Sequence, residues 1–170
     1  MKALGVRFSC RADWKAQVEH VKKSFRSRLW TLRNLKKSGF STEELLTVYK
    51  TMLHPIVEYA CVVFHSRLTD DQDQQLELLQ NQALKCIYGP YISARKMRAM
   101  AALPTLRERR VSLCDKFANK SLANPRFAHW FPEKRSRTSI RNGKNSESFR
   151  EDKTRCDRLF YSPLFYYRRR

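Results

Sequence analysis

Apolar side chains recur every three or four positions along most of this chain, the mark of helices with one buried face. Trp14, Val18, Val21, Phe25, Leu29 and Leu32 form the first such series. At ~100° per residue they share one side of a helical cylinder. Asp13 stands where a cap belongs, which predicts a helix from there to about Ser38, ended by Gly39. Ser41-Thr42-Glu43-Glu44 has the form of a capping box, in which the hydroxyl takes one free amide and Glu44 reaches back to another. The central helix it opens carries Leu45, Tyr49, Met52, Leu53, Ile56, Ala60, Val63 and Phe64. Pro55 offers no N–H to the carbonyl of Thr51, so a kink is predicted within it.

Thr69 with Gln72 opens a third helix, with Leu76, Leu79, Ala83 and Ile87 facing inward and Gly89-Pro90 closing it. Ser93 caps a short fourth helix to about Ala102. After Pro104, Thr105 with Glu108 boxes a fifth that buries Leu106, Leu113 and Phe117 and runs to about Leu122. Before all of these, Ala3 to Phe8 is strand-like. From Glu133 to Arg158 only Ile140, Phe149 and Cys156 are apolar, too few to offset the entropy of ordering that segment. The apolar end, Leu159 to Tyr167, is expected to dock. The expected fold is therefore all-α, a compact bundle of about five helices with a kinked central helix. Residues 1–12 form a short strand-like edge, 13–131 the helical domain, and 132–170 a loose, largely disordered basic tail ending in an apolar patch.

Charge changes the picture more than composition does. The 170 residues, 42% of them apolar, suffice for one domain with a core of its own. Four Gly and six Pro argue against a β-sandwich or a glycine-rich nucleotide fold. Thirty-five Lys and Arg against 16 Asp and Glu give a net charge of +19, a field that attracts polyanions. It is unevenly spread: residues 1–40 carry +9, 41–92 carry −4, and 93–131 and 132–170 carry +7 each. Cys10, Cys61, Cys86, Cys114 and Cys156 show no C-x-x-C pair, as in a reducing compartment. They and His20, His54, His65 and His129 fall at no metal-ligand spacing, so neither a metal nor another cofactor is expected. Met1 to Asp13 lacks the apolar run of a signal peptide, and the longest such run, Tyr59 to Phe64, is far short of the ~20 residues of a membrane span. The expectation is an intracellular protein, cytoplasmic or nuclear and not secreted, with no membrane contact and no obligate protein partner.

A series of short segments then falls in a recognisable order: Lys2-Ala3-Leu4-Gly5-Val6, Trp14 with His20-Val21, Leu32-Arg33-Asn34-Leu35-Lys36, and Tyr49 with His54-Pro55-Ile56-Val57-Glu58-Tyr59-Ala60. Leu68-Thr69, Leu76-Glu77 with Gln80, Ala83-Leu84-Lys85-Cys86-Ile87-Tyr88-Gly89, Leu106 with Arg109-Arg110, and Tyr161-Ser162-Pro163-Leu164 continue it. In this order the chain resembles the C-terminal part of reverse transcriptases from jockey-like non-LTR retrotransposons. The resemblance implies that residues 1–12 are a remnant of the palm's edge strand, near the primer-gripping hairpin. It implies that the helices are thumb and C-terminal extension. That family's polymerase site needs aspartates, including an adjacent pair in a tyrosine-led turn, to hold two Mg²⁺ ions. Asp70-Asp71 is the one adjacent Asp pair here, and it lies in the first turn of a predicted helix, where carboxylates answer the helix dipole. What the resemblance implies is a truncated fragment of an RNA-directed DNA polymerase, without catalytic residues of its own. Tyr166-Tyr167-Arg168-Arg169-Arg170 departs from the family's usual ending.

Along the first helix, Lys15, Lys22, Arg26, Arg33 and Lys37 form a stripe beside the apolar face, and Arg109, Lys116 and Lys120 repeat it in miniature on the fifth. A solvated face is the usual meaning of such a stripe. Acids are nearly absent from both, so nothing softens the repulsion at i, i+4. With the resemblance, the stripes are expected to track phosphates of RNA or an RNA–DNA hybrid, without sequence specificity. Trp14, Trp30 and Trp130 could stack on bases, although Trp14 lies on the apolar face. Arg110 points with Leu106, Leu113 and Phe117, so it is expected to be buried in a structural salt bridge with Glu58 or Glu77. An inert product of a decayed element and a basic amphipathic membrane binder are the competing readings.

Overall fold

The computed structural model describes residues 2–9 and 13–130, the side chains of 128–130 excepted. The expected loose tail over 132–170 and its apolar patch lie outside the described residues, as does the side chain of Trp130. The described chain is helical almost throughout, and its strand pairing is confined to a hairpin of β1 (Lys2–Ala3) and β2 (Val6–Arg7). Instead of running extended from Ala3 to Phe8, the backbone reverses at Leu4-Gly5, both at positive φ (+45° and +81°), and sets Lys2 opposite Arg7. Gly5 makes that turn tolerable, having no Cβ to clash. The Tyr59 hydroxyl donates to the Leu4 carbonyl at 2.6 Å and ties the hairpin down.

Helix α1 (Lys15–Lys37) buries all six residues of the apolar series with which it was predicted. Asp13 does not cap it. Trp14 takes that position without a side-chain hydrogen bond, its ring centroid 5.6 Å from Phe8 and 6.0 Å from Phe64. Burial of an indole, rather than a carboxylate cap, therefore fixes where the helix starts. At the other end Gly39 (φ +88°) allows the amides of Gly39 and Phe40 to return to the carbonyls of Lys36 and Leu35, at 3.1 and 3.3 Å. That is the Schellman closure.

The central segment is more broken than a proline kink. It consists of α2 (Thr42–Val48), a π-helical turn (Tyr49–Leu53), α3 (His54–Glu58), α4 (Cys61–Phe64) and a 3-10 turn (His65–Arg67). The π turn sits just ahead of Pro55, where the missing N–H already interrupts the α-helical ladder. At Tyr59-Ala60 the helix stops outright, with Ala60 left-handed at φ +54°. The changed phase buries Val57 and Cys61 and leaves Met52 and Val63 facing solvent, although both had been expected to face inward.

Helix α5 (Asp70–Tyr88) is the hub, packed against α1, α2, α6 (Ala94–Met100) and α7 (Leu106–Leu122). Capping boxes at Ser41/Glu44, Thr69/Gln72 and Thr105/Glu108 open α2, α5 and α7. Leu76, Leu79, Ala83 and Ile87 of α5 are all buried, and Gln80 among them donates to the Pro104 carbonyl at 3.1 Å. On α7 the inward row is Leu106, Arg110, Cys114, Ala118 and Ser121. Leu113 is only half-buried and Phe117 is exposed, because the row steps by four and its centre drifts away from them.

Candidate nucleic-acid interface

The outer face of α1 carries the cations, because its apolar face is committed to the core. Lys15, Arg26, Arg33 and Lys37 are exposed, and none makes a hydrogen bond or ion pair among the described residues. Lys22 differs. It is half-buried, paired with Glu19 on the turn before it, and donates to Gln75 Oε1 of α5 at 2.9 Å. Lys36, outside the expected stripe, donates to the carbonyls of Cys86 and Ile87 at 2.6 and 2.8 Å. A cation there answers the free carbonyls at the end of α5 and fastens the two helices together. Trp30 is 65% exposed on the same face of α1.

The row on α7 divides. Lys116 and Lys120 are exposed and without partners among the described residues. Arg109 is anchored: its Nε lies 2.6 Å from Glu58 Oε1, and that oxygen is also 3.6 Å from His54 Nε2. The ion pair holds the Arg109 guanidinium above its usual range. Arg110 is fully buried and its Nη2 pairs with Asp73 Oδ1. Neither carboxylate expected for it supplies the contact. Glu58 is taken by Arg109, and Glu77 accepts the Arg107 amide at 2.7 Å. Burial pulls the Arg110 guanidinium down, against the nearby Asp73 and Glu77. Its Nε and Nη1 have no partner among the described residues.

A second cationic surface was not visible in the sequence. Between the hairpin, α1 and α3 lies an open groove of about 840 Å³ whose rim includes Arg7, His20, Lys23 and Arg28, and whose lining holds no carboxylate. Lys23 and Arg28 could have been placed on the far flank of α1 by counting. Arg7 and Tyr59 reach the groove only through the tertiary fold. Partial burial, then Arg7, Lys2 and Lys23, lower the affinity of His20 for a proton.

Catalytic chemistry finds little to build on. Among the described residues no three His, Cys, Asp or Glu side chains converge as metal ligands. Asp70 and Asp71 occupy the first turn of α5, where Asp71 accepts from Gln75 at 2.7 Å. Cys61 and Cys114 meet in the interior, and their hydrogen bond, with burial, pushes the Cys61 thiol far up. It is held as thiol, the unreactive form. No described helix is long and apolar enough to cross a membrane. Among known proteins, no family model, no curated protein and no solved structure matches the chain. The interface is thus defined by its own geometry.

His54 supplies a test of the Glu58 cluster. Burial lowers its pKa from 6.5, opposed by Glu58 and assisted by Arg109 and Lys50. A folded-state value below the unfolded one means that the unfolded chain takes up the proton first. Stability is then complete above about pH 6.5 and falls as the pH drops through the folded value. Urea unfolding at pH 7.5 and 5.5 is expected to show that fall, and His54→Gln to remove much of it. Stability that rises on acidification would mean that a charged His54–Glu58 pair prevails over burial.

Proposed function

We propose that this chain is a basic, non-catalytic helical module that binds RNA or an RNA–DNA hybrid, derived from the thumb-like C-terminal part of a jockey-like reverse transcriptase. One observation carries the binding: Lys15, Arg26, Arg33 and Lys37 line one face of α1 with no carboxylate partner among the described residues. Cations left unpaired by the fold remain available to phosphates, and each phosphate neutralised releases counterions. The anchoring of Arg109 and Lys22 narrows the expected surface without abolishing it. Exposed charge and a bent arrangement of short helices suit a shape-and-phosphate reader better than a reader of base edges.

The test is the binding of a labelled RNA by the full chain across a salt series. Affinity is expected to fall linearly on logarithmic axes, by roughly 0.7 per phosphate contact on a single strand, with little preference among sequences. Failure to bind RNA or hybrid at ~0.15 M salt would overturn the proposal. Extension of a primer by the purified chain would overturn its non-catalytic part.

A further inference from the structure

We infer that Trp30 is a base-stacking platform, so that the α1 face engages unpaired nucleotides rather than a closed duplex. This rests on the reading of that face as a phosphate surface and adds the class of strand it takes. Trp30 is 65% exposed, on a helix whose apolar residues are otherwise turned inward. Trp14 shows the alternative within the same chain, at 6% exposure between Phe8 and Phe64. The Trp30 ring makes no aromatic contact among the described residues.

Its neighbours decide what would cover it. Arg26 is one turn before Trp30 and Arg33 nearly one turn after, each ~5–6 Å away between Cβ atoms. Lys23 and Lys37 stand two turns to either side, so the five residues span ~21 Å of helix. Arg26, Arg33, Lys23 and Lys37 are exposed and unpaired among the described residues. An apolar ring within a row of free cations matches a chain of alternating phosphates and flat bases. Sequence-tolerant single-strand sites combine these same two parts. Charge argues against cover by residues 132–170, which carry +7. A paired duplex would present phosphates to the cations but no open base face to the indole.

The experiment compares a 12-nucleotide oligouridine with a 12-base-pair RNA duplex, using the full chain carrying Trp130→Phe. Trp14 and Trp30 are then the remaining tryptophans of the three in the sequence. The difference in emission between this protein and its Trp30→Phe derivative isolates Trp30. Oligouridine is expected to quench Trp30 emission, and the duplex to leave it unchanged. Trp30→Ala is expected to weaken oligouridine binding roughly 5- to 150-fold and duplex binding less than twofold, with Trp30→Phe keeping most of the affinity. An exposed position makes both variants safe to fold, which their circular dichroism checks. Equal losses on the two ligands, or no loss on oligouridine, would overturn the stacking role while leaving the phosphate surface standing. Absence of RNA binding by the parent would overturn both.

Discussion

Arg110→Ala is expected to destabilise the protein by ~3–5 kcal/mol in urea or thermal unfolding, because it strands a carboxylate at a buried helix contact. Arg110 is fully buried, whereas the Asp73 side chain keeps 14% of its surface in solvent and has Arg107 at 3.6 Å as a second cation. The two deletions are therefore unequal. Asp73→Ala leaves a guanidinium inside with no anion in contact and should cost at least as much as Arg110→Ala. Two of the guanidinium nitrogens already lack partners among the described residues, so the native pair is an expensive arrangement. Replacing both members, as Arg110→Met with Asp73→Leu, should recover most of the loss, since matched apolar groups carry no charge to desolvate. A single variant within ~1 kcal/mol of the parent would show that water reaches the site and that the pair is worth no more than an exposed one.

Replacing Lys22, Arg26, Arg33 and Lys37 together with Gln is expected to weaken RNA binding by about two orders of magnitude at ~0.15 M salt. Four phosphate contacts contribute roughly 2.8 to the logarithmic salt slope on a single strand, and 0.15 M lies about 0.8 decades below 1 M, where that contribution vanishes. Lys22 is partly occupied by Glu19 and Gln75, so its share should be the smallest of the four. The loss should be similar for all sequences, with a flatter slope for each. Shortening the chain after Phe131 also removes +7 of charge, but by general attraction, so a scrambled tail of equal charge should substitute for the native one. A quadruple variant that binds as tightly as the parent would reduce the α1 face to a solvated surface.

Local chemistry was legible in the sequence and tertiary placement was not. The three capping boxes depend on residues three apart, and the buried face of α1 on one unbroken period. Both survive whatever the rest of the chain does. The burial of Arg110 followed from its phase within α7. Its partner did not, because Asp73 and Glu77 lie one turn apart on α5 and only the meeting point of the two helices selects between them. Phase-counting failed wherever the helix itself changed, as with Met52 and Val63 beyond the start of the π turn. The nucleic-acid face was half legible. Its spacing was plain, but Arg109 and Lys22 had partners from other elements or the next turn. The groove around His20 needed Arg7 and Tyr59 brought together from distant parts of the chain.

The π-helical turn at Tyr49–Leu53 makes residue number, and not just residue type, a determinant of the core. A wider turn uses more residues for one revolution than an α-helical turn does. Every position after it is rotated accordingly, and the inward facing of Val57 and Cys61 depends on that offset. Substitutions within the turn alter one side chain each. Loss of a single residue there would swing α3 by ~100° and present a different set of side chains to α1. The segment therefore tolerates changes of spelling far better than changes of length, the reverse of the rule for surface loops.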